Sequence, residues 1–441
     1  MIENSPIRQE LAQVARAGLG THVRRFLVPA LSLCALAVHH TTAHAQDRAA
    51  GLTLTEARAL ARRVNPSLVA ARAAVDATLG REMQAGAFPD PVLSYRHEQT
   101  SARGATNAQD VALIEQRFEI AGQASRRVLS AQLRRQAAEA DLVAAGTALD
   151  LEVAHAFASA LAADRRVAVA DAAADQFEEA TRKMAERLSA GDVSGYALRR
   201  VRLEAARYAA LAAEAHVHAR AERLRLATLI GIPPDALVPV DRTADLAVVL
   251  EAPADSIEAM AMRHHAGLRA ARLRADAGRA DARLARRERV PGLVASAGFK
   301  NERVLDGTRA LSGFVAGLSI ALPLWDRRTG SISAADAEAT RLAAQAEAVR
   351  LRIGRDALTA REALRQTEAR VAALDAQLGD EAQAALRAAE AAFAEGEITL
   401  VDWLDAVRAY QEAEAAYALV VAESVMQRAD LERLLGVTLI R

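Results

Sequence analysis

Aromatic side chains are scarce in this sequence: 3% of its 441 residues are Phe, Trp or Tyr, although 52% are hydrophobic. Ala and Leu carry the apolar count, and Ala is the strongest helix former, so the expectation is a helix-rich chain with thin, closely packed seams rather than an enzyme-like aromatic core. Cysteine is almost absent, with Cys34 alone, which excludes thiolate metal sites, thiol catalysis and disulfide scaffolding downstream of it. Charge of one sign is lacking too: 56 Lys+Arg stand against 56 Asp+Glu, so nothing suggests nucleic acid or a strongly charged partner. Beyond residue 45 no apolar run reaches the ~20 residues of a membrane helix, so any crossing of a bilayer must be made by strands.

The amino terminus has the layout of an export signal. Arg24 and Arg25 precede an apolar run from Phe26 to Val38, and Ala43-His44-Ala45 precedes Gln46. This order predicts a secretory signal peptide over residues 1–45, cleaved after Ala45. The first ~20 residues are long for a charged leader, which points to a translation start further downstream. Cys34 lies inside the leader, and Leu33 before it is not the small residue that lipid attachment wants. Removing residues 1–45 takes four Arg and two Glu, leaving 52 cationic against 54 anionic residues.

Proline punctuates the rest at Pro66, Pro89, Pro91, Pro233, Pro234, Pro239, Pro253, Pro291 and Pro323, which leaves 92–232 and 324–441 free of it. Such stretches suit uninterrupted helices. The punctuation also repeats. Leu68-Val69-Ala70-Ala71-Arg72 corresponds to Leu268-Arg269-Ala270-Ala271-Arg272, and Pro91-Val92-Leu93 to Pro291-Gly292-Leu293, both 200 residues on. Gly191-Asp192-Val193-Ser194 corresponds to Gly396-Glu397-Ile398-Thr399, and Gly231-Ile232 to Gly436-Val437, both 205 on. Two structural repeats are therefore expected, 46–240 and 241–441.

Each repeat reads as short helix, strand pair, very long helix, turn and return helix. Thr53 and Glu56 have capping-box spacing. Leu93 and Tyr95 alternate with Ser94 and Arg96, a strand with one apolar and one polar face. Strands are expected at about 92–98, 111–120, 293–300 and 314–322, with polar loops at 100–109 and 301–311. Leu142, Leu149, Val153 and Phe157 fall on one helical seam, as do Leu364, Val371, Leu374 and Leu378. Long helices are expected at about 123–187 and 331–394, with return helices at about 196–230 and 400–435.

Four strands cannot close a membrane barrel, since the smallest use about 8. Three chains would supply twelve. The run from Gly396 to Ala406 (Gly-Glu-Ile-Thr-Leu-Val-Asp-Trp-Leu-Asp-Ala), the closing Leu434-Leu435-Gly436 and the joint Leu322-Pro323-Leu324-Trp325-Asp326-Arg327 resemble the outer-membrane efflux proteins typified by TolC. The resemblance spans about Leu54 to Val437. Phe118-Glu119-Ile120-Ala121-Gly122-Gln123, with Pro323 to Gly330, is most similar to the branch that serves cobalt, zinc, cadmium or copper pumps.

The resemblance implies a mainly α protomer with a small β part. Its four strands would join a trimeric twelve-stranded barrel, and its long helices a periplasmic α-barrel. It implies an exit duct in the outer membrane, conducting passively, that works with a periplasmic adaptor (membrane fusion) protein and an inner-membrane pump of the resistance-nodulation-division type. It also places Asp402 and Asp405 at a periplasmic constriction, where the first repeat has Ala197 and Arg200. The turns Gly191, Asp192, Val193, Ser194 and Gly396, Glu397, Ile398, Thr399 become adaptor contacts. Without the resemblance, the two aspartates are solvated helix carboxylates and the turns are ordinary glycine stops.

His216 and His218, and the adjacent His264 and His265, lack the i, i+4 spacing of a helical metal site. No metal, cofactor or catalytic residue is assigned, since the sequence has no nucleophile elbow, phosphate loop or dinucleotide fingerprint. Two other readings stay open. One is a duct for drugs or type I protein secretion; the other is a periplasmic helical adaptor or scaffold, against which the doubled strand pairs argue.

Overall fold

In the computed structural model, residues 52–102, 105–234, 252–303, 310–378 and 380–439 are described, all within the unit that begins at Leu52. The proposed leader, 1–45, and Cys34 lie outside them. Helix α1 (Leu54–Val64) opens with a capping box: the Glu56 amide donates to Thr53 Oγ1, and the Thr53 amide donates to Glu56 Oε2 at 2.9 Å. It stops at Asn65, because a residue before proline is driven out of the helical region. Asn65 is extended, and its side chain accepts the Ser67 amide at 3.0 Å to start α2 (Pro66–Ala85).

In the second half α5 (Ala254–His264) and α6 (Ala266–Arg287) break at His265, whose Nδ1 accepts the Leu268 amide at 3.2 Å. Each half thus starts with two helices where the pattern suggested one. The breaks are 200 residues apart (265 and 65).

Strands β1 (Val92–Ala102), β2 (Ala105–Phe118), β3 (Leu293–Arg303) and β4 (Ala310–Ile320) form one antiparallel sheet in that order. Within the expected loops at 100–109 and 301–311, residues 100–102, 105–109, 301–303 and 310–311 are strand. Thr100 pairs with Asn107 and Ser101 with Thr106, so polar residues extend the ladder there. Polarity marks where a strand leaves apolar surroundings; the backbone ladder can continue into water, where both faces are solvated.

The helical part is long. α3 (Gln123–Ala190) has 68 residues and, at 1.5 Å each, runs about 100 Å. It turns into α4 (Gly195–Ile230). The second half has α7 (Thr329–Leu378), α8 (Asp380–Glu395) and α9 (Leu400–Leu435). α4 and α9 have 36 residues each, and both stop at a left-handed glycine, Gly231 (φ 71°) and Gly436 (φ 66°).

α3 is packed by α1, α2, α4, α6 and α9, and α7 by α5, α6 and α9. Along the middle of α3, Val153, Ala154, Ala156, Phe157, Ala158 and Ala160 are all buried. A helix buried around its circumference needs small side chains to let several neighbours approach, which is what the alanine content supplies. No helix among the described residues is long and apolar enough to cross a membrane.

Candidate functional site

The sheet is built from alternation. Cross-strand partners share a face, and the register aligns Leu93, Ile114, Ala297 and Ala316 in one row and Tyr95, Ala112, Phe299 and Phe314 in another. Phe118, Leu293 and Ile320 form a third row on the same face. Most of the large side chains in these rows are exposed, Leu93, Tyr95, Phe299, Phe314 and Ile320 among them.

The opposite face carries Arg96, Glu98, Glu115, Arg117, Lys300 and Glu302, with Arg96 3.7 Å from Glu98 and Lys300 3.2 Å from Glu302. The apolar face ends at a polar row, His97, Asp110, Asn301 and Ser312. There Asp110 Oδ1 takes the Tyr95 hydroxyl and lies 2.7 Å from His97 Nδ1. β1 and β4 are hydrogen-bonded on one side only, so both edges are open.

At the far end of the long helices the two turns are built alike. The Gly191 amide donates to the Leu188 carbonyl at 3.1 Å and the Asp192 amide to the Arg187 carbonyl at 2.9 Å. The Gly396 amide donates to the Phe393 carbonyl at 3.1 Å and the Glu397 amide to the Ala392 carbonyl at 2.8 Å. Both glycines are left-handed, with φ of 86° and 85°; this is the Schellman stop. Val193 and Ile398 then pack inward, while Asp192 and Glu397 stay exposed. Ser194 caps α4 by accepting the Ala197 amide at 3.2 Å, and Thr399 caps α9.

Asp402 and Asp405 lie in the first turns of α9, both exposed, with Trp403, Leu404 and Val407 buried beside them. Their surroundings differ. Asp402 Oδ2 accepts the Thr399 hydroxyl at 2.6 Å and the Thr399 amide at 3.0 Å, completing a capping box. Those bonds, the hydroxyl first, hold its carboxyl below the usual carboxylate range. Asp405 lies 3.6 Å from Arg408. Asp402 therefore has a structural duty as well as an exposed charge.

An aromatic stack that the pattern of residues did not reveal holds this end together. Tyr208 stacks on Phe177 (4.3 Å between centroids), Phe177 meets Trp403 at 5.0 Å, and Trp403 stacks on Phe393 at 5.0 Å. The four come from α4, α3, α9 and α8, so the signal lay in pairs 10 to 226 residues apart (403−393 and 403−177). Beside the stack opens a cleft of about 630 Å³, lined by Glu179, Lys183, Arg187, Glu390, Phe393 and Trp403 among others.

Two of these histidines are otherwise engaged. His216 Nε2 lies 3.0 Å from Asp171, and His265 caps α6. Among the described residues no group of three or more His, Cys, Asp or Glu is placed to hold a metal ion.

Residues 259–437 match the model of the family described as outer membrane efflux protein. The cobalt-zinc-cadmium resistance protein CzcC of Cupriavidus metallidurans is 27% identical over 393 residues, 89% of this chain and 91% of that protein. Among solved structures, the outer-membrane channel OprN matches with a TM-score of 0.72 at 22% identity, over 87% of this chain and 90% of that one. The outer membrane protein VceC of Vibrio cholerae matches with a TM-score of 0.69 at 19% identity, over 88% and 96%. The two structures share the fold: long helices joined to a small antiparallel sheet. The family model on the second half, the relative along nearly all of the chain and the fold in common make this chain similar to outer membrane efflux proteins.

Proposed function

We propose that this chain is the exit duct of a tripartite efflux system, a homotrimer in which the open edge of β4 in one copy pairs with β1 of the next. One observation carries the reading: a four-stranded sheet with an exposed apolar face, a charged opposite face and two unpaired edges. Exposed edges are a liability that closure removes. Three copies of four strands close a barrel that turns the apolar face to outer-membrane lipid and the charged face to water. The family's place is the outer membrane, with the helices extending into the periplasm. Fractionation tests this: the chain should pellet with outer membranes as a heat-modifiable trimer, and a soluble periplasmic monomer would refute it.

The turns at Gly191–Ser194 and Gly396–Thr399 are proposed as the contacts of a periplasmic adaptor, which in turn meets an inner-membrane pump of the resistance-nodulation-division type. Their exposed Asp192 and Glu397, and the apolar-floored cleft beside the aromatic stack, offer a docking hairpin both charge and an apolar seat. Asp402 and Asp405 are proposed as carboxylate rings at the constriction. Asp402→Asn with Asp405→Asn keeps the cap acceptor and removes the charge. Block of planar-bilayer currents by divalent cations should weaken several-fold, and unchanged block would remove this role.

Cargo is proposed to be heavy-metal cations, on the strength of the cobalt-zinc-cadmium resistance relative. Deleting the gene should lower tolerance to cobalt, zinc or cadmium. Loss of drug tolerance alone would favour a drug duct.

A further inference from the structure

The aromatic stack at the turn end leaves two polar atoms unanswered. Trp403 is 3% exposed, and its ring packs on Phe393 and Phe177. Its indole Nε1, at the ring edge, is buried and meets no acceptor among the described residues. A buried indole N–H normally finds a partner, because giving up water without one is costly. Glu390, on α8, has the converse lack: its Oε1 is buried and meets no donor. Carboxylate oxygens are seldom buried unless something pairs with them.

Both residues line the cleft of about 630 Å³, a size typical of small-molecule sites. One cleft thus offers an unused donor and an unused acceptor together. Its charge is lopsided: Asp175, Glu179, Glu186 and Glu390 stand against Lys183 and Arg187, and Lys183 is drawn to Glu179 at 3.5 Å. Phe393 and the buried Met184 add apolar wall.

We propose that the cleft binds a small organic amine that carries an apolar body and an oxygen acceptor. Its ammonium donates to the Glu390 carboxylate, its oxygen accepts the Trp403 indole N–H, and its apolar body lies along Phe393 and Met184. The four carboxylates disfavour an anion. A metal cation would answer Glu390 but not the indole donor, and a hydrocarbon would answer neither. Neither polar atom opens to bulk water, so the amine enters as the exposed Lys183 side chain swings off the rim. The site goes beyond the adaptor contact proposed for this end and stands without it, since α3, α8 and α9 of a single chain supply every lining residue.

The chain has two tryptophans, so Trp325→Phe labelled with 5-fluorotryptophan gives one fluorine resonance, that of Trp403. The assembled protein in detergent is titrated with 4-phenoxybutylamine, and the resonance should shift saturably. Neutral 4-phenoxybutanol lacks the ammonium and 5-phenylpentylamine lacks the oxygen; each should bind about tenfold more weakly. Glu390→Gln should cut the affinity for the amine to that for the alcohol. Lys183→Ala, which removes a like charge from the rim, should raise it a few-fold.

A resonance that no amine moves overturns the proposal, because the indole is then closed off or satisfied by an enclosed water. Equal affinity for all three compounds, or unchanged binding of the amine to Glu390→Gln, shows only partition of an amphiphile at the detergent surface and overturns it too. None of these outcomes bears on membrane fractionation, by which the duct reading is judged.

Discussion

At the scale of single residues, two side chains hold more than the spacing of the sequence disclosed. Asp402 was legible as an acidic position near a turn, but its capping bond to Thr399 depends on the turn's backbone and became visible only with it. His265 was weighed as a metal ligand and is instead a helix cap, the counterpart of Asn65. Burial first, then the nearby Arg433 guanidinium, push its pKa below the ordinary histidine value. The sign follows from linkage: as pH falls below about 6.5 the unfolded chain takes up a proton that the folded chain resists, so stability is lost on acidification. His265→Asn keeps an acceptor at the cap and removes the titration. Thermal unfolding of the variant should therefore fall less steeply between neutral and mildly acidic pH, and an unchanged slope would show that other groups govern the acid side.

Phe177 lies wholly buried at the centre of the aromatic stack. Phe177→Ala should destabilise the turn end of the helices by about 3–5 kcal/mol. Faster proteolysis near the two turns, with the sheet end unaffected, is the expected readout.

At the scale of elements, what was readable was whatever leaves a short-range mark. The proline-free runs gave the long helices, the alternation at Leu93 and Tyr95 gave a two-faced strand, and the glycines gave the turns. Strand length was misjudged because Thr100, Ser101 and Thr106 are polar on both faces, and only the partner strand shows that they remain paired.

Gly298 is another case. A Cβ built there would lie 1.9 Å from the Ala112 carbonyl oxygen of β2, a clash with backbone that no rotamer relieves. Gly298→Ala should therefore spread β2 from β3 and reduce the yield of heat-modifiable trimer far more than Gly313→Ala, where a Cβ would meet open space. Equal yields would mean the strands can shift apart without penalty.

At the scale of the whole molecule, stability has to come from packing and assembly. The described residues contain no cysteine, so the trimer band should show the same heat resistance with and without reductant; sensitivity to reductant would point to a covalent link outside the described residues. Many ion pairs between helices, such as Arg286–Asp336 at 2.8 Å and Arg370–Glu423 at 3.1 Å, are solvent-exposed. Pairs of that kind contribute about 0–1 kcal/mol each, so salt should change stability only modestly, while changes along the alanine-packed middle of α3 should matter more.

The open edges of β1 and β4 also bear on inheritance. On the proposed trimer each chain lends both edges to its neighbours, so one chain with a damaged edge spoils the two seams it takes part in, and with them the ring. In a cell that carries both a normal and a damaged copy of the gene, most rings would include at least one damaged chain. Edge mutations should therefore behave as dominant, whereas mutations that prevent export of the chain should behave as recessive.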